Sequence, residues 1–164
     1  MELLVGEEVF ECHKVVLCAR SPVFMAMFQS GMKESNTQKI TINDMKTEVV
    51  AEMLKFIYTG NVSNANVLNN LARDLLSAAN HYQLNMLKGL CEDKLCENLD
   101  VSSSVELLVL GDLHQASKLK SKALKLLTQN IDKIVNTDVY KDLLRKYPDL
   151  SLEVTKAAIL KQQR

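Results

Sequence analysis

The chain has 164 residues, 47% of them hydrophobic and 24% charged, with a formal net charge of +0. That length buries a core in one domain or one and a half, while the balanced charge excludes a global field that would gather nucleic acid or an acidic membrane. No apolar run approaches the roughly 20 residues that span a bilayer, and the first residues lack the basic and long apolar stretches of a secretory leader.

In chain order, residues 2–5 (ELLV) and 8–12 (EVFEC) read as strands around a Gly6-Glu7 turn, with Gly at its first central position. Val15, Val16, Leu17, Ala19, Val23, Phe24, Met27 and Phe28 then form a dense apolar block with helical spacing. Inside it Ser21-Pro22 is a helix start, a Ser N-cap followed by Pro where its missing N–H costs nothing. Ser30-Gly31 is the matching stop. A helix pair therefore leads into a solvated loop carrying Met32-Lys33-Glu34.

Residues 39–42 (KITI) read as a third strand, closed by Asn43-Asp44. Over residues 46–58, Val49, Val50, Met53, Leu54 and Ile57 share one helical face, with Glu48, Glu52 and Lys55 off it, and Gly60 ends the element. The Asn-rich residues 61–70 read as a solvent loop. Leu71, Leu75, Ala78 and Tyr82 mark the next helix. After a break at Leu84-Asn85, Leu87, Leu90, Cys91 and Leu95 mark another.

Residues 99–102 form the best internal boundary, because Ser103 and Glu106 have the capping-box spacing that starts a new helix. Val105, Leu107, Leu108, Val109 and Leu110 make that helix apolar nearly all round, so it should be sandwiched between others. Leu119, Ala123, Leu126, Leu127, Ile131 and Ile134 predict one amphipathic helix. Residues 140–147 predict another, stopped by Pro148, and residues 152–161 a last one. Three short strands followed by many helices give an α+β, mostly helical architecture.

Catalytic and metal chemistry find little support. Cys12 and His13 are neighbours in an extended run and point to opposite faces, so they cannot act as a nucleophile–base pair. Cys91 and Cys96 are spaced outside the usual zinc-knuckle gap and have no matching pair, and His81 and His114 stand alone. The four cysteines (12, 18, 91 and 96) each lie in an apolar pattern, as buried reduced thiols of an intracellular protein do. Glu92-Asp93 reads as a solvated acidic pair. Lys118, Lys120, Lys122 and Lys125 read as a solvated helix face, without the interleaved aromatics of a single-strand platform. These readings leave no cofactor, no metal, no nucleic acid, no membrane and no small-molecule substrate as expected partners.

Several words of the chain resemble the BTB/POZ domain family. They are FECHKVVLCARSPVFMAMF from Phe10, FIYTG from Phe56, LLSAANHY from Leu75 and LKGLCEDKL from Leu87. LDVSSSVELLVLGDLHQASKLKSKAL from Leu99 is similar to the 3-box or BACK helical extension. Within the family the chain looks most like the speckle-type POZ proteins, in which a MATH domain precedes the BTB domain.

The resemblance implies a BTB/POZ domain over residues 1–98, a short sheet with a helical cluster, and a small all-α 3-box/BACK-like extension over residues 99–164. It also implies a non-catalytic adaptor that binds the N-terminal region of cullin-3 in a RING-type ubiquitin ligase, supporting substrate ubiquitination and proteasomal degradation. The cullin-contacting signature is an apolar residue, any residue, then Glu; Met32-Lys33-Glu34 fits it. Tyr58 and Tyr82 are candidate groove-edge partners, each offering area plus a polar tip, and each equally a candidate for the core alone. Nucleus and cytoplasm are the compartments that the resemblance suggests.

Two departures accompany it. The chain carries no MATH domain and lacks the N-terminal dimerisation helix, either as a piece of a longer protein or as one that has shed those parts. Homo-oligomerisation is therefore an open expectation. The alternative function is a BTB/POZ oligomerisation scaffold, for example in transcription regulation, that does not bind cullin.

Overall fold

Alternation in the first dozen residues builds a hairpin. In a computed structural model describing residues 1–29 and 39–162, β1 (Glu2–Val5) pairs antiparallel with β2 (Glu8–Glu11). Gly6 turns between them at φ +59°, a conformation that costs a residue without a Cβ least. After β2, α1 (Lys14–Arg20) and α2 (Pro22–Gln29) pack together. Strand β3 (Lys39–Ile42) returns parallel to β1, giving the order β2-β1-β3. Leu3, Val5, Ile40 and Ile42 are buried on one face of this mixed sheet. Glu2, Lys39 and Val9 lie on the other, where Glu2 and Lys39 form an ion pair of 2.7 Å.

The chain divides into two compact units, Met1–Cys91 and Glu92–Arg164. The first holds the sheet, α1, α2, α3 (Thr47–Thr59), α4 (Ala65–His81) and the start of α5 (Asn85–Glu97). Val49, Val50, Met53, Leu54 and Ile57 of α3 are buried as their spacing predicts, and Gly60 ends the helix at φ +73°.

Two expectations fail in this unit. Helix α4 begins at Ala65, not at Leu71: the Asn64 side chain accepts the Val67 N–H at 3.0 Å and caps it, so part of the asparagine run is helical. Glu52, expected off the apolar face, is buried. Its carboxylate accepts the Ser63 N–H and, at 2.6 Å, the Ser63 hydroxyl. The turn after α3 thus supplies the hydrogen bonds that a buried carboxylate requires.

The described elements of the second unit are all helices: the end of α5, α6 (Ser104–Leu113), α7 (Ser117–Gln129), α8 (Ile131–Ile134), α9 (Asp138–Lys146) and α10 (Pro148–Gln162). Its core gathers Val105, Leu108, Ala123, Leu127, Ile134, Tyr140, Leu143, Leu150 and Val154. Gly111 sets the closeness of α6 and α7, because a Cβ there would meet the Lys120 backbone nitrogen at 2.8 Å.

The expected capping box at Ser103 does not form. The Asp100 carboxylate instead accepts the Ser103 N–H at 2.7 Å and the Ser102 and Ser103 hydroxyls at 2.8 Å each. Those bonds hold the Asp100 carboxyl down at about 2, the Ser103 N–H contributing most. The single helix expected through Ile134 breaks at Asn130 into α7 and α8. Pro148 follows one helix and opens the next at its first position.

The pair Glu92-Asp93 is also more than solvated surface. Glu92 accepts the Lys118 and Leu119 N–H groups at 3.0 and 3.2 Å, capping α7, and Asp93 pairs with Lys118. Lys120 bridges Asp112 and Glu153 at 2.8 and 2.7 Å, and Lys122 donates to the Cys96 carbonyl at 2.8 Å. Three of the four lysines in the basic run are thus engaged within the unit.

Candidate protein-binding site

The segment singled out in the sequence starts where α2 ends. Ser21 joins α1 to α2 and is fully buried. Its hydroxyl accepts the Phe24 N–H at 3.2 Å and donates to the Tyr82 carbonyl at 2.7 Å. One side chain therefore caps α2 and ties it to the end of α4. Phe24 stacks on the Tyr82 ring, with centroids 4.5 Å apart and planes 16° from parallel.

Of the two places open to it, groove edge or core, Tyr82 takes the core, 3% exposed. Burial, with Asp44 adding to it, pushes its phenol up to about 12. Its part is to fix α2 against α4.

Tyr58 sits differently, near the end of α3 and 42% exposed. Its hydroxyl accepts the His13 N–H at 2.7 Å and lies 2.9 Å from His13 Nδ1. The start of α1 is thereby held to the end of α3, and much of the Tyr58 ring stays open to solvent. The structure does not bring Tyr58 and Tyr82 to one surface. Ser30-Gly31, Met32 and Glu34 lie outside the described residues.

What the sequence reading did not single out is an apolar groove in the first unit, about 440 Å³, between α1–α2, the end of α3 and the start of α5. Pro22, Met25, Phe56, Leu84 and Met86 line it. Met25 and Met86 are 40% and 72% exposed. Flexible thioethers at an open groove suit another chain's apolar side chains. A signal for Met25 was present, since it lies off the helical face that Val23, Phe24, Met27 and Phe28 mark out.

Gln83, on the wall of this groove, holds a left-handed φ of 54°. The Leu84 N–H reaches back to the Ala79 carbonyl at 2.8 Å, closing α4 with the bond of a Schellman cap at a position where Gly is usual.

Among the described residues no group of three or more His, Cys, Asp or Glu is placed to hold a metal. Likewise, no described helix is long and apolar enough to cross a membrane. The four cysteines form no disulfide among the described residues, and burial pushes the Cys12 and Cys96 thiols up, away from the reactive thiolate.

The family model of the BTB/POZ domain matches residues 1–99. The chain belongs to the BTB/POZ family. This BTB protein is similar over most of its length to two mouse proteins, TD and POZ domain-containing protein 1 and protein 3. Each is 42% identical over 151 residues, covering 92% of this chain and 41% of the relative. The chain thus spans less than half the length of these curated relatives. Among solved structures, the BTB domain of zebrafish PATZ1 is similar at a TM-score of 0.50 and 25% identity, over 58% of this chain and 74% of that one. The fold is a mostly helical α+β BTB fold, a three-stranded mixed sheet with additional C-terminal helices.

Proposed function

We propose that this BTB protein is a non-catalytic adaptor. It binds the N-terminal region of cullin-3, as part of a RING-type ubiquitin ligase that directs substrates to proteasomal degradation in nucleus and cytoplasm. The observation that carries the reading is the BTB/POZ match over residues 1–99, joined to relatives of the TD and POZ type. BTB domains are protein-interaction modules, and the open groove beside Met25 and Met86 has the chemistry of a surface for an apolar helix.

In this reading Met32 and Glu34 make the central contacts. The groove residues extend them, Tyr58 supplies an exposed aromatic edge, and Tyr82 acts only by positioning α2. Residues 99–164 form the 3-box/BACK-like extension.

The test is calorimetric titration of the chain with the cullin-3 N-terminal domain, beside Met32→Asp and Glu34→Lys variants checked for fold by circular dichroism. Wild type should bind, and Met32→Asp should lose at least about 2 kcal/mol, as a central contact does. Absence of binding by folded wild type would remove the ligase reading and leave the oligomerisation scaffold, which solution mass then examines.

A further inference from the structure

A different surface, on the far side of the sheet order from β3, is unpaired among the described residues. Met1 and Cys12 exchange two hydrogen bonds, the Met1 amine donating to the Cys12 carbonyl at 3.0 Å and the Cys12 N–H to the Met1 carbonyl at 2.9 Å. Alternation along an antiparallel ladder then fixes the rest. Phe10 and Glu8 face β1, so the backbone N–H and C=O groups of Val9 and Glu11 point away from the sheet. Among the described residues no strand pairs with that side. Val9 is 53% exposed.

The same edge is acidic. Glu7, Glu8 and Glu11 are all exposed, and none forms an ion pair among the described residues. Next to Glu8 an open groove runs to the first turn of α3, where Glu48 adds a fourth carboxylate. The groove's one cation, Lys46, is engaged by Asp74 at 2.8 Å.

We infer that the outer edge of β2 takes an extended basic peptide segment of a partner protein as a fourth strand. Main-chain bonds to Val9 and Glu11 would supply affinity, and alternate side chains the specificity. A basic residue on one face of the added strand meets Glu11. One on the other face meets Glu8 and Glu48. The alternative occupant, a second copy of the same edge, is disfavoured because β2 against β2 sets glutamates against glutamates, and like charges directly opposite destabilise a strand pair. Charges on an edge are also a device against indiscriminate pairing, and acidic ones leave it open to a cationic strand alone.

The experiment uses the full chain and two short synthetic peptides, alternating Lys with Val and Glu with Val, with amide exchange followed by NMR. The Lys-Val peptide should slow exchange at Val9 and Glu11 and bind more weakly as salt rises, and the Glu-Val peptide should do neither. Val9→Pro removes an outward donor without touching a β1–β2 bond, and should weaken binding by roughly tenfold or more. Glu8→Lys with Glu11→Lys, both on exposed side chains, should do the same with the hairpin intact. Protection that appears elsewhere, equal binding of both peptides, unchanged affinity in the folded variants, or a chain that pairs through this edge with itself at neutral pH would each overturn the inference.

Discussion

Ser21→Ala isolates the joint on which the α1–α2 knot depends. The hydroxyl is fully buried and makes two bonds, to the Phe24 N–H at 3.2 Å and the Tyr82 carbonyl at 2.7 Å. Losing a Ser N-cap costs about 1 kcal/mol. Leaving a buried carbonyl without its donor costs about 1–3 kcal/mol more. The two are not independent, since one oxygen serves both, so the expected total is about 2–2.5 kcal/mol. Alanine fills nearly the same volume, so no cavity term is added.

Urea unfolding at neutral pH, followed by circular dichroism, reads this as a fall in the midpoint of about 1–1.25 M for a slope near 2 kcal/mol/M. Hydrogen exchange locates it: the amides of α2 and the end of α4 should lose protection while those of α6 and α7 do not. A midpoint within about 0.3 M of wild type, with α2 exchange unchanged, would refute the claim that this hydroxyl holds the two helices together.

The remaining predictions concern closeness and charge. Gly111→Ala should destabilise the second unit by about 1–3 kcal/mol in thermal or urea unfolding, because backbone rather than a yielding side chain lies in the way. Gly89→Ala, in a helix with nothing within 4 Å of the added carbon, should be neutral or stabilising by about 0.5–1 kcal/mol. The Asp100 carboxyl, depressed to about 2 in the folded chain, contributes stability that is present above its unfolded value and lost as pH falls through the folded one. Carbon-detected NMR should place its titration near pH 2, and an ordinary carboxylate midpoint would show that the Ser102–Ser103 cap is not made.

Much of this protein follows from local chemistry. Ser21-Pro22 starts α2 and Gly60 ends α3 because a cap and a left-handed glycine act within a few residues of themselves. The alternation of ELLV, EVFE and KITI yields three strands for the same reason. Order of elements, fold class and family resemblance rest on such local words.

Other features rest on partners distant in the chain. Tyr58 and Tyr82 are alike in sequence, yet one reaches His13, 45 residues away, at the surface while the other stacks on Phe24 inside. Glu52 occupies a charged position in a helical pattern and is buried because Ser63 arrives to bond it. Asp100 takes the capping role that the spacing of Ser103 and Glu106 promised to Ser103. Glu92-Asp93 finds Lys118 and the start of α7 across 25 residues or more. In each case a polar group has several satisfactory partners, all equivalent as far as the sequence goes. Only the packing of the apolar faces brings one of them within hydrogen-bond reach.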